Sequence, residues 1–314
     1  MVKKPTFWVE KERIDNEVVS CLTIILKTEG CYWAKKSGCL MCGYAAESYS
    51  TSFEDLVEQL EFAIKNSKKF QILKIFTSGS FFDKREIPER FRSYVYNIAN
   101  KLKIKKLIVE SRPEFITEKI IDELSNLDFV VEIGIGLETA NDFIREHCIN
   151  KGFKFDDFKR AAERLKENNI RVKAYLLLKP PFLSEREAID DAVSSAIKVR
   201  KLADVVSLNP TNVQSKTYVE KLWKLGLYRP PWLWSVVEVL KQVNGKVEII
   251  SDPVAAGKVR GPHNCGRCDK DVAKAIKEFS LYKDINVLDV ECECKSLWKR
   301  ILELENYSRI PLTK

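Results

Sequence analysis

Three cysteines lie close together in one short segment of the sequence, CYWAKKSGCLMC. They are Cys31, Cys39 and Cys42, and they follow an apolar run at residues 21–26 that is typical of a buried strand. A [4Fe–4S] cluster usually takes four cysteine ligands, so three thiolates would leave one iron open to a ligand that reacts. The alternatives are a zinc site, because Cys39-x-x-Cys42 is a common zinc half-site, and ordinary buried thiols.

The C-terminal part of the chain carries two more closely spaced cysteine pairs. Cys265 and Cys268 lie in GPHNCGRCDK, and Cys292 and Cys294 lie in VECECKSLW. Two chelating pairs suit a closed tetrahedral zinc site, in which His263 could replace one cysteine. A second iron–sulfur cluster would use four cysteines equally well, and free thiols are the remaining alternative. We favour zinc, which would hold together a small structural or RNA-facing module.

Small and polar residues follow three successive apolar runs, at the point where each run ends. They are Ser78, Gly79 and Ser80 after the first run, Glu110 and Arg112 after the second, and Glu138 at the end of the third. A glycine allows close approach of the backbone to a ligand, and the hydroxyls could hold an ammonium group. A carboxylate beside a guanidinium could bind ribose hydroxyls and a carboxylate of one ligand. Ordinary loop packing is the alternative for each segment taken alone.

Apolar strands alternate with amphipathic helices over the first two thirds of the chain. The predicted strands are residues 21–26, 72–78, 105–111, 129–139, 171–179 and 203–210. They are rich in Val, Ile and Leu, as expected for strands covered on both faces. The helices between them include one that begins at a Ser52 cap and one at residues 140–149. Six such units predict an α/β fold, a partial (β/α)6 TIM-like barrel with the cysteine loop at its C-terminal edge.

The pattern changes after residue 212. A proline pair with several aromatic residues is followed by a helix, the strand KVEIISD and the two cysteine pairs. We place a boundary near Gly245. Residues 1–245 are predicted to form the barrel, and residues 246–314 are predicted to form a small C-terminal cysteine-rich, zinc-like module.

Composition restricts the class of protein. The chain has 314 residues, 45% of them hydrophobic, which is enough for a sizeable core. No apolar run has the length of a membrane span or signal peptide, so we expect a cytoplasmic protein without membrane association. There, clustered cysteines indicate metal binding rather than disulfides. The net charge of +8 favours a polyanionic partner such as RNA, although a charge-rich thermophilic surface is the alternative.

These segments together resemble the radical S-adenosylmethionine (SAM) superfamily. The cysteine loop, TSGSFFD, ESRPEFIT, EIGIGLETAND and Asn150-Lys151-Gly152 are similar to the radical SAM core of the Elongator catalytic subunit group. The resemblance covers roughly residues 20–270. It is strongest to short archaeal members of that group, which act in archaeosine biosynthesis in tRNA. The loop departs from the commonest spacing between its first two cysteines, and Met41 replaces an aromatic residue, although Tyr44 follows closely.

The resemblance implies the cofactors and their ligands. Cys31, Cys39 and Cys42 would bind a [4Fe–4S] cluster, and an electron from that cluster would cleave SAM to a 5′-deoxyadenosyl radical. The candidate SAM contacts are Tyr44, Ser78, Gly79, Ser80, Glu110, Arg112 and Glu138. The implied partners are tRNA and a lysine-transferring subunit of archaeosine synthase, whereas the electron donor stays open. No residue stands out as a catalytic acid or base.

Three hypotheses follow for the function. The first is a radical SAM lyase that forms archaeosine by cleaving a C–N bond in a lysine-adducted 7-deazaguanine of the tRNA D-arm. The second is a radical SAM enzyme that acts on another RNA base or on a small molecule. The third is a non-catalytic zinc protein that binds RNA, in which all the clustered cysteines are structural. Nucleoside analysis separates the first two, and anaerobic iron and zinc analysis tests the third.

Overall fold

The structure is a computed structural model that describes residues 4–44 and 48–308. The strands are β1 (Thr6–Ile14), β2 (Glu17–Ile25), β3 (Ile72–Phe76), β4 (Lys106–Ser111), β5 (Val130–Glu138), β6 (Arg171–Leu178), β7 (Val205–Pro210) and β8 (Ile249–Ile250). The helices are α1 (Tyr32–Lys36), α2 (Phe53–Lys65), α3 (Glu89–Lys101), α4 (Glu118–Ser125), α5 (Asp142–Ile144), α6 (Phe155–Glu167), α7 (Glu185–Val199), α8 (Tyr218–Lys224), α9 (Leu233–Val243), α10 (Asp269–Tyr282) and α11 (Cys294–Ser308). Strands and helices therefore alternate from β2 to β7, as the sequence predicts.

The strands form one sheet in the order β1 to β8. β1 pairs with β2 antiparallel, whereas β2 to β5 pair in parallel, as do β7 and β8. Most apolar residues of the parallel strands are buried, including Leu22, Ile24 and Ile75. Because parallel strands all point the same way, the loops after β2, β3 and β4 leave the sheet at one edge.

Two elements differ from the sequence prediction. β1 was not predicted, because TFWVEKERI mixes charged and apolar residues, and none of its residues is fully buried. It is held by an antiparallel hairpin whose two-residue turn is Asp15 and Asn16. The helix predicted at residues 140–149 is instead the short α5 and a π-helical turn, Arg145–Ile149. Asn150 ends that turn in the left-handed region, at φ 60°, a conformation that asparagine tolerates better than most residues.

The chain divides into two compact units. The first contains residues up to Gly38, from Tyr44 to Gly136 and from Asp156 to Lys173, and the second contains the remainder. The predicted boundary near Gly245 stays a prediction. No helix among residues 4–44 and 48–308 combines the length and hydrophobicity that a membrane crossing requires.

A network of buried charges fills the interior of the first unit. Glu132 is fully buried, and its carboxylate lies 2.7 Å from Lys173 Nζ and 3.2 Å from Lys106 Nζ. Glu12 lies 2.5 Å from Lys74 Nζ and 3.5 Å from Lys173 Nζ. Burial alone would raise the pKa of Glu132, but Lys173 and Lys106 outweigh it and lower that pKa. The carboxylates and the ammonium groups of Lys74 and Lys173 therefore stabilise one another's charged forms, whereas at Lys106 burial outweighs Glu132 and lowers the pKa.

One part of this network has the donor atoms of a metal site. Oxygen atoms of Glu10 and Glu12 and the sulfur of Cys21 all lie within 4.8 Å of one another. The ammonium group of Lys74, however, lies 3.1 Å from Glu10 and 2.5 Å from Glu12. Burial raises the pKa of Cys21 to about 11, so the thiol is protonated near neutral pH. A lysine therefore already supplies the positive charge that a metal would bring.

We predict that Glu132→Gln destabilises the protein by about 3–5 kcal/mol, because Lys106 and Lys173 lose their shared buried counterion. Chemical denaturation at pH 7.5 measures this loss. The pKa of Glu132 is lowered in the folded protein, so its stabilising effect is present at neutral pH and is lost as the pH falls. The difference in the free energy of unfolding between the wild type and the variant should therefore become smaller in acid. Equal stability at pH 7.5 would contradict the prediction.

Candidate active site and metal centre

Cys31 lies in the first unit, shortly after β2 ends. It is the residue directly before α1, and its carbonyl oxygen accepts a hydrogen bond from the backbone N–H of Lys35 at 3.3 Å. Its side chain is half-buried and forms no disulfide. The first predicted cluster ligand is thus fixed at the start of a short helix, on the edge of the sheet where β3 and β4 also end.

Cys39 and Cys42 lie in the second unit. A turn joins them, in which the backbone N–H of Cys42 donates to the carbonyl oxygen of Cys39 at 3.2 Å. The turn is anchored by the Gln214 side chain, whose Oε1 accepts from the N–H of Gly43 at 2.6 Å. Both thiols are half-buried and outside any disulfide. Tyr44, a predicted SAM contact that follows the turn, is 50% exposed.

The segment Ser78–Ser80, which we call the serine–glycine loop, follows β3. A side chain on Gly79 would place its Cβ 2.7 Å from the Cα of Cys31 and closer still to Glu86 Oε2. A real Cβ essentially never lies this close to a backbone carbon to which it is not bonded, so only glycine fits. The buried hydroxyl of Ser80 lies 2.9 Å from that of Ser111, at the end of β4. Gly79 is therefore packed directly against the backbone of Cys31, and Ser80 is packed against the end of β4.

Glu110 and Arg112 lie at the end of β4 in the same unit. The carbonyl oxygen of Glu110 accepts from the N–H of Phe81 at 2.8 Å, which ties β4 to the serine–glycine loop. Arg112 is buried, donates to Glu114 at 2.6 Å and lies over the rings of Tyr32 and Trp33 in α1. Burial disfavours its charge, but Glu114 outweighs this effect and raises the pKa of Arg112. A fixed positive charge therefore lies beside α1.

Glu138 ends β5 and has a strained backbone. Its φ is 67°, in the left-handed region that a residue other than glycine rarely adopts. Its carboxylate accepts from Lys151 Nζ at 2.6 Å, and both side chains are largely buried. Strain of this kind is retained when the surrounding structure fixes it, often at a binding site. Asn150-Lys151-Gly152 thus provides the partner of a predicted SAM contact.

Thr139, the next residue, connects β5 to α7. Its hydroxyl donates to Asp191 at 2.7 Å. Burial raises the pKa of Asp191 to about 6, and the hydrogen bond from Thr139 and the charge of Arg145 offset this rise only in part. At neutral pH the folded protein therefore contains a buried carboxylate, that of Asp191, next to Thr139.

We predict that Asp191→Asn stabilises the protein at pH 8, because an amide accepts the Thr139 hydrogen bond without burying a charge. The pKa is raised from 3.8 to about 6 in the folded protein, so wild-type stability falls as the pH rises through this window. A difference of about two pKa units corresponds to a gain of up to about 3 kcal/mol. Urea denaturation at pH 8 and 5.5 should show the gain shrinking at the lower pH. A variant no more stable than wild type at pH 8 would contradict this.

The four C-terminal cysteines come together in the second unit. The Sγ atoms of Cys265, Cys268, Cys292 and Cys294 all lie within 4.8 Å of one another. Three of the separations are 3.9, 3.8 and 3.6 Å. Zinc–sulfur bonds of about 2.3 Å in a tetrahedron put the sulfurs about 3.8 Å apart. The arrangement therefore fits four ligands of a single metal ion.

The surroundings of this group favour a thiolate at Cys265, whereas burial raises the pKa of Cys268 and of Cys294. Trp234 Nε1 donates to Cys294 Sγ at 3.3 Å, and Asn264 Nδ2 donates to Cys268 Sγ at 3.4 Å. Burial would raise the pKa of Cys265, but backbone hydrogen bonds at Cys268 and Arg267 lower it to about 6. Thiolates are the form that binds metal.

His263, the alternative ligand, is not among the four residues that the structure groups. Its Nδ1 lies 2.8 Å from the carbonyl oxygen of Gly261, and burial lowers its pKa. The sequence analysis did not select Glu86 or Asp191. Glu86 sits in the polar segment FDKREIPE, and Asp191 is one of several acidic residues of α7. Neither segment has a pattern that distinguishes a site residue from surface charge.

The known family with this pattern of residues is the radical SAM superfamily, whose profile matches residues 25–193. The matched range contains the three loop cysteines, the serine–glycine loop, Arg112 and Glu138. A solved structure of similar fold is the queuine lyase from Clostridium spiroforme bound to SAM and queuine, with a TM-score of 0.51 and 22% identity over 72% of this chain and 88% of that one. The protein is therefore a radical SAM protein, and the predicted fold class is confirmed.

Two relatives define the family more narrowly. Archaeosine synthase subunit beta of Methanosarcina acetivorans is 43% identical over 96% of this chain and 90% of its own length. The protein of the same name from Thermococcus kodakarensis is 39% identical over 95% of this chain and 96% of its own length. The chain belongs to the family of archaeosine synthase subunit beta. The resemblance stated from the sequence is confirmed, and with it the [4Fe–4S] cluster and SAM as the cofactors of the superfamily.

Proposed function

We propose that this protein is the radical SAM subunit that forms archaeosine in tRNA. Its substrate is a 7-deazaguanine of the D-arm that carries a lysine through the side-chain nitrogen. A hydrogen atom would be removed from the lysine carbon beside that nitrogen, and loss of a second electron, back to the cluster that reduced SAM, would leave an iminium carbon. Addition of water and cleavage of the C–N bond would then leave the nitrogen in the formamidine group of archaeosine and release the lysine carbon as an aldehyde. The observation that carries the proposal is the 43% identity, over 96% of the chain, to a protein named archaeosine synthase subunit beta.

We propose that the three loop cysteines hold a [4Fe–4S] cluster with one open iron, a donor set whose chemistry suits that group. Cys31, Cys39 and Cys42 are half-buried and free of disulfides. Cys21 and Cys148 are buried, and the other four cysteines are grouped with one another, so the cysteines offer the loop no evident fourth thiolate. When bound, the cluster and SAM supply a reducing electron and the carbon radical that abstracts hydrogen.

The residues at the strand ends have binding and orienting tasks in this proposal. The serine–glycine loop, packed against Cys31, receives the ammonium group of SAM. Arg112 offers a buried positive charge to a carboxylate, and Glu138, held by Lys151, offers its carboxylate to ribose hydroxyls. These groups bind SAM in one orientation and exclude water from it, which is how a protein directs a reactive cofactor.

The partners in this proposal are tRNA and a second subunit that attaches the lysine. The name subunit beta of the relatives supports a second subunit, and the net charge of +8 supports an RNA substrate. An open cavity of about 300 Å³ beside α1 is lined in part by Lys35, Lys36 and Arg85. The lysines suit RNA phosphates close to the cluster loop, whereas Arg85 is paired with Asp83 at 2.7 Å and Lys35 lies 3.4 Å from Glu29. A one-electron donor of unspecified identity completes the reaction.

We predict that deletion of the gene removes archaeosine from tRNA and that the lysine adduct of its precursor accumulates. Mass spectrometry of tRNA nucleosides measures both. A plasmid copy of the wild type should restore archaeosine, whereas Cys39→Ala should not. Cys148→Ala is the matched control, because this buried cysteine is outside both proposed metal sites, and it should restore archaeosine.

Archaeosine that persists in the deletion strain, without the adduct, would contradict the proposed reaction. Loss of a different modified nucleoside in that strain would instead support a radical SAM enzyme that acts on another RNA base.

We further propose that Cys265, Cys268, Cys292 and Cys294 bind one structural zinc ion in the C-terminal module, residues 246–314. The support is the three Sγ–Sγ separations of 3.6 to 3.9 Å, which suit one tetrahedral ion. Four thiolates fill all the coordination positions, so this metal would have no open site for chemistry. Its task would be to tie the start of α10 to the start of α11.

We predict that the anaerobically purified protein contains one zinc ion per chain. The iron should be bound by the loop that contains Cys31, Cys39 and Cys42. Cys268→Ser should remove the zinc, reduce the thermal stability and leave four irons per chain, whereas Cys39→Ser should lose iron and retain zinc. Elemental analysis measures both metals. A C-terminal site that holds iron and sulfide would contradict the zinc assignment.

A further inference from the structure

Glu86 is a buried carboxylate whose hydrogen bonds all reach the segments around Cys31. Only 3% of the residue is exposed. Its Oε1 accepts from the hydroxyl of Thr28 at 2.5 Å and from the backbone N–H of Ser78 at 3.1 Å. Its Oε2 accepts from the backbone N–H of Ser80 at 2.7 Å. One side chain thus binds both N–H groups that flank Gly79.

These hydrogen bonds connect the segment after β2 with the segment after β3. Thr28 also accepts from the N–H of Gly30 at 3.3 Å, one residue before Cys31. On the other side, Gly79 packs against the backbone of Cys31 so closely that a Cβ would lie 2.7 Å from its Cα. Glu86 therefore holds the serine–glycine loop against the segment that carries the first cysteine.

A compact turn fixes Glu86 itself. The N–H of Asp83 donates to the carbonyl oxygen of Ser80 at 3.1 Å, and the N–H of Glu86 donates to the carbonyl oxygen of Asp83 at 2.9 Å. The chain thus folds back on the loop within a few residues. Burial raises the pKa of Glu86, while the hydrogen bonds from Thr28 and Ser80 favour its charged form. The short turn and these hydrogen bonds therefore fix the position of the carboxylate.

The orientation of the loop follows from peptide geometry. In a trans peptide the N–H and the C=O point in opposite directions. Because the N–H groups of Ser78 and Ser80 point at Glu86, the carbonyl oxygens of Thr77 and Gly79 point away from it. An ammonium group has only donors and needs such acceptors. The carboxylate thus occupies the donors of the loop and directs its acceptors outward.

We propose that Glu86 is a positioning residue for SAM, which orients the serine–glycine loop so that its carbonyl oxygens receive the ammonium group of the cofactor. The inference rests on the proposed function, since it assigns this loop to SAM. Glu86 does not touch the cofactor in this account. It acts through the backbone of the loop and through Thr28.

The test is Glu86→Gln, which preserves the size of the side chain. Glutamine has one oxygen and one NH₂ group, so at least one of the three donors meets another donor. An unmade buried hydrogen bond of this kind corresponds to a loss of about tenfold or more in SAM affinity, measured by equilibrium binding to the reconstituted protein. The matched control is Glu89→Gln, the same change at a residue whose side chain is 54% exposed, and it should leave the affinity unchanged.

A second readout does not need the cofactor. Hydrogen exchange of the protein before reconstitution should be faster in the segment that contains Ser78 and Ser80 in Glu86→Gln, and unchanged in Glu89→Gln. Should Glu86→Gln fail to fold, Thr28→Val and Thr28→Ser replace it. Valine should weaken SAM binding, and serine, which keeps the hydroxyl, should restore it.

The proposal is overturned if Glu86→Gln, or Thr28→Val in its place, binds SAM as the wild type does. It is also overturned if exchange in the loop is unaltered in Glu86→Gln. Failure of the proposed function has a different signature. In that case the wild type releases no 5′-deoxyadenosine from SAM, whatever the effect of Glu86→Gln on hydrogen exchange.

Discussion

The closeness of the serine–glycine loop to Cys31 is the constraint on which the site depends. There is no room for a side chain at Gly79, because its Cβ would overlap the backbone of Cys31. Glu86 accepts the backbone N–H groups of Ser78 and Ser80 on either side of this glycine, and the N–H of Ser80 is buried. A ligand bound by the loop would consequently be next to Cys31, the first of the proposed cluster ligands, and the sheet edge that carries both is held by β2, β3 and β4.

Much of the fold could be predicted from sequence because the central strands are continuous apolar runs. All six predicted strands are present, and β3 ends two residues before its predicted end, which leaves Thr77 and Ser78 to the loop. β1 could not be predicted in this way, since it is stabilised by pairing with β2 rather than by an apolar pattern of its own. The buried network around Glu132 could not be predicted either, because charged residues on a strand are normally expected to face solvent.

The cysteines of the site could be selected from spacing, since metal chemistry restricts which residues recur at short intervals. The residue that we propose to orient the serine–glycine loop could not. Glu86 has no motif, and its importance appears only when its carboxylate is seen to accept from Thr28, Ser78 and Ser80. The strained backbone of Glu138 is likewise invisible in the letters of the sequence, because φ depends on the packing of the whole strand end. Sequence identifies ligands by their chemistry, whereas positioning residues become visible only through contacts.

In the proposed site, the loop cysteines leave one iron of the cluster free to bind SAM. The most direct measurement is electron–nuclear double resonance spectroscopy of the reduced protein with SAM labelled with ¹⁵N in its amino group. If the amino group of SAM binds the open iron, the spectrum should show a hyperfine coupling between the cluster and the labelled nitrogen. A reduced cluster whose signal shows no coupling to that nitrogen, under conditions where SAM is bound, would contradict it.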